Sequence, residues 1–152
     1  MPIEARFVHV NLVARDWRRL VAFYGQVFGC EPVPPERDLS GPWLERATAI
    51  PGARIRGVHL RLPGWGGAGP TLEIFQYHPH LDCERAGVNR PGLGHLAFAV
   101  PDVGAAREAV LAAGGGAVGE LVGADIPGAG RIRFVYATDS EGNVIELQQW
   151  SS

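Results

Sequence analysis

Two histidines and two glutamates, His9, Glu73, His95 and Glu146, occupy matching places in two copies of one sequence unit. When His9 is laid over His95, Asp16 and Asp102 each follow seven residues later, and Gly29 and Gly115 each follow twenty later. At the far ends, Gly69-Pro70-Thr71-Leu72-Glu73-Ile74-Phe75-Gln76-Tyr77 lies over Gly142-Asn143-Val144-Ile145-Glu146-Leu147-Gln148-Gln149-Trp150. Each half thus offers an imidazole near its start and a carboxylate near its end. Two imidazoles with two carboxylates suit a divalent ion of the Zn, Ni, Co, Fe or Mn type. A histidine alone in a strand is more often packed or hydrogen-bonded than a ligand, and a glutamate in a strand usually faces water. Repetition at equivalent points changes that balance. So does the setting of Glu73 and Glu146 among apolar residues, because a lone buried carboxylate is costly unless it is paired or metal-bound.

Other constellations carry less. His78, His80 and Cys83 are compact, but they fall in a Pro-containing linker with no counterpart in the second copy and read as a solvated loop. Ser40, Ser140, Ser151 and Ser152 lie in loops or the tail, and no Gly-x-Ser-x-Gly elbow is present. The Gly-rich stretches 64–69 and 123–130 lack the Lys-Ser/Thr ending of a phosphate loop and do not form a dinucleotide fingerprint. They read as turns.

The elements that must position the four residues follow from periodicity. Phe7 to Val13 alternates as a strand, with His9, Asn11 and Val13 on one face. Asp16 then caps a helix that carries Trp17, Leu20, Val21, Tyr24, Val27 and Phe28 at helical spacing, and Gly29 ends it. Cys30 to Val33 is a short strand, and Pro34 and Pro35 open a long connection. Residues 36–53 read as a loop containing a helical turn, long enough, with Trp43 and Glu45, either to act as a lid or to pack on the outside. Arg56 to Leu62 and Thr71 to Tyr77 are strands joined by a turn-rich segment. In the former, His59 and Arg61 share a face, and the sequence does not say which one.

Residues 78–92 form the linker. The second copy runs as strand Leu93 to Val100, a helix capped by Asp102 with Val103, Ala106, Val110 and Leu111 inward, and a stop at Gly114-Gly115-Gly116. Then come strand Ala117 to Val122, a Gly-rich loop over 123–130, and strands Ile132 to Ala137 and Asn143 to Gln149. Each half is β-α-β-β-β, so the fold class is α+β, with two tandem modules over about 6–77 and 93–150 of a single domain, 1–152. Four strands do not bury a concave face alone, so the two curved mixed sheets are expected to enclose a metal-site cleft. Strand parity puts Asn11, Phe75, Ala97 and Gln148 on the ligand face as pocket walls, with Trp43 joining them from the 36–53 segment.

Composition narrows the setting. At 152 residues with 46% hydrophobic content the chain can fill one ordinary core. A net charge of -2 and scattered arginines argue against a nucleic-acid surface. No stretch approaches the roughly 20 apolar residues of a membrane span, and no signal peptide is evident, so the expected compartment is the cytoplasm. Two cysteines, Cys30 and Cys83, are expected as free thiols.

Taken with their motifs, residues 6–150 resemble the vicinal oxygen chelate superfamily, which includes glyoxalase I, methylmalonyl-CoA epimerase, extradiol dioxygenases and fosfomycin and bleomycin resistance proteins. The carriers are Phe7-Val8-His9-Val10-Asn11-Leu12 with Ala22-Phe23-Tyr24-Gly25-Gln26-Val27-Phe28-Gly29 behind it, then Gly94-His95-Leu96-Ala97-Phe98-Ala99-Val100, then Asp139-Ser140-Glu141-Gly142-Asn143-Val144-Ile145-Glu146-Leu147. The resemblance implies that His9, Glu73, His95 and Glu146 hold one divalent metal ion, as a His-Glu-His-Glu set similar to glyoxalase I. It implies a small-molecule substrate and an isomerase, epimerase or lyase working through an enediolate or enolate, with Glu146 as base and Glu73 as its partner. A homodimer is expected on family grounds. Two alternatives are an Fe(II)-dependent extradiol-type dioxygenase using His9, His95 and Glu146, and a non-catalytic binder of a drug or metabolite. The intact ligand set argues against the binder. No arginine is assignable to glutathione carboxylates.

Overall fold

The computed structural model describes residues 1–84 and 87–151. The chain divides into two compact units, Met1–Asp82 and Cys83–Ser152.

The first unit contains β1 (His9–Val13), α1 (Trp17–Phe28), β2 (Glu31–Ser40), α2 (Pro42–Thr48), β3 (Arg54–Arg61) and β4 (Thr71–His78). Its four strands form one mixed sheet in the order β1-β4-β3-β2, with β1 parallel to β4 and the other pairs antiparallel. α1 starts where Asp16 Oδ1 accepts the Arg19 N–H at 3.1 Å, and it ends at left-handed Gly29. It buries Trp17, Leu20, Phe23 and Tyr24 against the sheet face formed by Val58, Leu60, Leu72 and Ile74, none more than 2% exposed. That apolar face fixes the parity of both strands, and it turns His59 and Glu73 to the other side.

The second unit repeats the plan with β5 (Leu96–Ala99), α3 (Val103–Ala112), β6 (Gly116–Ile126), β7 (Gly130–Thr138) and β8 (Val144–Ser151), in the order β5-β8-β7-β6. Asp102 Oδ1 caps α3 by accepting the Ala105 N–H at 3.0 Å. Val103 and Val110 pack inward, and Val135, Ala137, Ile145 and Leu147 are fully buried. The helix ends differ in detail. Gly29 is needed for its φ of 68°, whereas the matching Gly115 is needed for closeness, since a Cβ there would meet the Thr138 carbonyl at 2.4 Å.

Two segments expected as loops are regular. The segment 36–53 contains the second half of β2, the whole of α2 and a short turn. Pro34 and Pro35 do not end β2, because it is an edge strand and its register with β3 shifts between Val33 and Arg37, a bulge that absorbs residues without ladder donors. α2 follows Gly41 with Pro42 at its first position, and Leu44 roots it in a cluster with Ala53, Ile55 and Phe75. The Gly-rich segment 123–130 is likewise strand on both sides of a tight turn, with the equivalent bulge between Val118 and Val122. β5 is shorter than expected, beginning at Leu96, and Leu93 is exposed. Among the described residues, no helix is long and apolar enough to cross a membrane.

Candidate metal centre

In the first unit, parallel pairing of β1 with β4 sets Asn11 opposite Glu73, and antiparallel pairing of β3 with β4 sets His59 opposite Glu73 from the other side. His9 lies one row along, opposite Thr71. The carboxylate is consequently ringed by nitrogen. Asn11 Nδ2 donates to Glu73 Oε1 at 2.9 Å, His59 Nε2 lies 2.7 Å from Oε2, and His9 Nε2 lies 3.6 Å from Oε1. The two imidazoles meet edge to face with centroids 5.3 Å apart. One donor atom from each of His9, His59 and Glu73 lies within 4.8 Å of the others, the one such group of three among the described residues.

His59 is, from the sequence alone, one of two residues, with Arg61, that share an unassigned face. Its imidazole is held below its ordinary pKa, chiefly by burial, with Arg37 and His9 acting in the same direction and Glu73 opposing them. A neutral ring that donates from Nε2 to the carboxylate leaves Nδ1 to accept a hydrogen bond, and Thr71 Oγ1 stands 2.8 Å from it. The half-buried Arg37 supplies positive charge near this group, and its Nη1 donates to the Pro35 carbonyl.

In the second unit, β8 carries Glu146 between Ala97 and Tyr136. His95, just before β5, places Nε2 3.2 Å from Glu146 Oε2 and its ring 5.2 Å from that of Tyr136. The His–Glu pair therefore recurs in both units. The residues around it do not: Ala97 stands where the first unit has Asn11, Tyr136 where it has His59, and Val144 where it has Thr71.

The expected pocket walls have separate fates. Asn11 is a partner of Glu73, and Phe75 is 8% exposed in the Leu44 cluster with its ring 6.2 Å from that of His59. Ala97 is exposed on the Glu146 row, and Gln148 Oε1 accepts from Trp150 Nε1. Trp43 lies on α2 with its indole half exposed, and the helix is anchored through Leu44, so the 36–53 segment packs as structure and not as a loose lid. His80 pairs with Asp82 at 3.6 Å, and no triad with His78 and Cys83 forms among the described residues. Cys30 and Cys83 are free thiols.

Solved structures share this fold over nearly the full chain. A glyoxalase family protein from Bacillus cereus is 18% identical with a TM-score of 0.75, covering 100% of this chain and 97% of its own. A glyoxalase/bleomycin resistance protein/dioxygenase family enzyme from Burkholderia phytofirmans is 17% identical with a TM-score of 0.60, covering 97% and 100%. A fosfomycin resistance protein from Listeria monocytogenes, solved with Mn(II) and a dihydroxypropylphosphonic acid, is 17% identical with a TM-score of 0.55, covering 95% and 92%. No curated protein sequence matches significantly. A family model matches residues 6–147, and the chain belongs to the glyoxalase/bleomycin resistance protein/dioxygenase superfamily.

Proposed function

We propose that this protein is a metal-dependent isomerase, epimerase or lyase of glyoxalase type, acting on a small carbonyl or thioester substrate. His9, Glu73, His95 and Glu146 are the ligands of one divalent ion per chain. The observation that carries this reading is the repeated pair: a histidine at or just before the module's first strand places Nε2 3.6 Å from a carboxylate oxygen in one module and 3.2 Å in the other. Two donors each about 2.1 Å from a tetrahedral ion would be separated by about 3.4 Å, so both pairs fit a shared ligand role. The Mn(II) in the Listeria relative supports an ion of this class. When bound, the ion would act as a Lewis acid that stabilises the negative charge of an enediolate or enolate.

The proton is the task of the chain's own residues. Within its module, Glu146 has one ion-pair partner among the described residues, His95. It is the carboxylate free to swing to a substrate carbon, take the α-proton and return it at a neighbouring position. Glu73, fastened by Asn11 and His59, serves as ligand and as the partner base. The test is α-proton exchange in D2O, followed by NMR, on a glutathione–dicarbonyl adduct and on a 2-branched acyl-CoA, with Zn, Ni, Co, Mn or Fe supplied. Exchange that requires metal and is lost in Glu146→Gln is expected. Absence of exchange with every ion, together with oxygen uptake on a catechol in the presence of Fe(II), would place the chain with ring-cleaving dioxygenases instead.

A further inference from the structure

We infer that the first module carries a self-sufficient metal site, His9–His59–Glu73, which retains a divalent ion when the second module's ligands are lost. The inference rests on the metal-dependent reading and adds His59, a donor that the four-residue set does not contain.

Three observations support it. The donor atoms of all three residues lie within 4.8 Å of one another, and the imidazoles are edge to face, so small side-chain rotations bring both Nε2 atoms and one carboxylate oxygen onto a common point. Two histidines and one carboxylate form a complete protein ligand set for an open divalent site, with the remaining positions left to water or substrate. The third observation is the support behind His59. To ligate, its Nε2 must give up its hydrogen, and the ring must then carry the proton on Nδ1. Thr71 Oγ1, 2.8 Å from Nδ1, accepts that hydrogen bond after its hydroxyl rotates. A ligating histidine whose other nitrogen is held by an outer partner is the arrangement that fixes tautomer and ring orientation.

The second module is the internal control. At the same register positions it has Tyr136 and Val144, so it lacks the second imidazole and the threonine hydroxyl behind it. Its His95–Glu146 pair supplies two donors only.

The experiment uses the full-length chain, with folding of every variant checked by circular dichroism. Zn(II) affinity is measured by chelator competition, and Co(II) is titrated while its ligand-field absorption is followed. The compared proteins are wild type, His95→Ala/Glu146→Ala, and that double variant with His59→Ala or with the milder His59→Gln added. The double variant is expected to bind Zn(II) more weakly than wild type but still at one equivalent, with an altered Co(II) spectrum. Either His59 substitution should then weaken binding further, by on the order of 100-fold or more, since even outer partners of a ligand are worth about 10–100-fold. Thr71→Val in the double variant should cost about 10-fold.

A double variant that binds no metal while wild type does would overturn this site and leave the four-ligand reading standing. Residual binding indifferent to both His59 substitutions would also overturn it. Binding in the double variant as tight as in wild type, lost with His59, would sustain the site and overturn the four-ligand reading instead. A wild type that binds no ion would overturn both.

Discussion

Glu73 and Glu146 occupy the same position in two copies of one module, and their side chains are equally covered, at 12% exposure each. They are held very differently. Glu73 is met by an amide and two imidazoles, whereas Glu146 is met within its own module by one imidazole, with Ala97 and Tyr136 in the remaining neighbour positions. Burial alone therefore does not set how freely a carboxylate moves; its hydrogen-bond partners do. Duplication supplied two like pairs, and the residues across the ladder separated them into an anchored carboxylate and a looser one. That division suits a metal-assisted proton transfer, in which one acid group must stay and another must move.

The largest expected effect tests this division directly. Glu146→Gln should lower the rate of α-proton exchange by about 10²–10⁴-fold, the usual worth of a positioned general base, with most of the loss in kcat. Glu73→Gln should act mainly by weakening metal affinity, with activity partly restored at high metal. Equal kcat losses at saturating metal would erase the distinction between the two carboxylates.

Next is the turn that presents Glu146. Asp139, 2% exposed, accepts hydrogen bonds at Oδ1 from the Glu141 and Asn143 N–H groups and at Oδ2 from Asn143 Nδ2, so it closes the β7–β8 connection. The first module joins β3 to β4 through the longer segment 62–70, rich in Gly and Pro. Asp139→Ala should cost about 2–4 kcal/mol in chemical denaturation, because three part-buried donors lose their partner. A loss below about 0.5 kcal/mol would mean that the turn holds without it.

A smaller effect sets Cys30 in the first module against Cys83 in the second. Burial pushes the Cys30 thiol up to about 11, from an ordinary value near 9.0, while Cys83 is exposed. The folded state therefore keeps a proton that the unfolded state releases. Stability from this group is complete below about pH 9 and declines as pH rises toward 11, by on the order of 2 kcal/mol. Cys30→Ala should flatten that alkaline slope in denaturation measured from pH 8 to 11. The smallest effect is that of Asn11→Ala, which gives the first module the alanine of the second. Loss of a hydrogen bond to a part-buried carboxylate should cost about 1–2 kcal/mol in denaturant titrations of the metal-free chain.

Much of the framework was legible in the sequence, because caps and parity are local. Asp16, Gly29 and Asp102 mark helix ends by their own chemistry, and the alternation around Glu73 and Glu146 follows from one apolar face. The strands through Pro34-Pro35 and Gly123 were hidden, since their composition is that of a loop and only pairing with β3 and β7 makes them strands. His59 was hidden for a related reason. β3 carries Ile55 on one face and Val58 and Leu60 on the other, all buried, so its period alone does not choose the side. Register against Glu73 chooses it, and register is a property of two strands together.

The proposed binding of one transition-metal ion per chain depends on the His–Glu pair of each module. Elemental analysis of tag-free protein, reconstituted and dialysed, tests it most directly when wild type is measured beside His95→Ala and Glu146→Ala. About one equivalent is expected in wild type and clear depletion in both variants, with His59-dependent binding recoverable only at higher metal. Full retention in both variants, or no metal in wild type after reconstitution with each candidate ion, would contradict it.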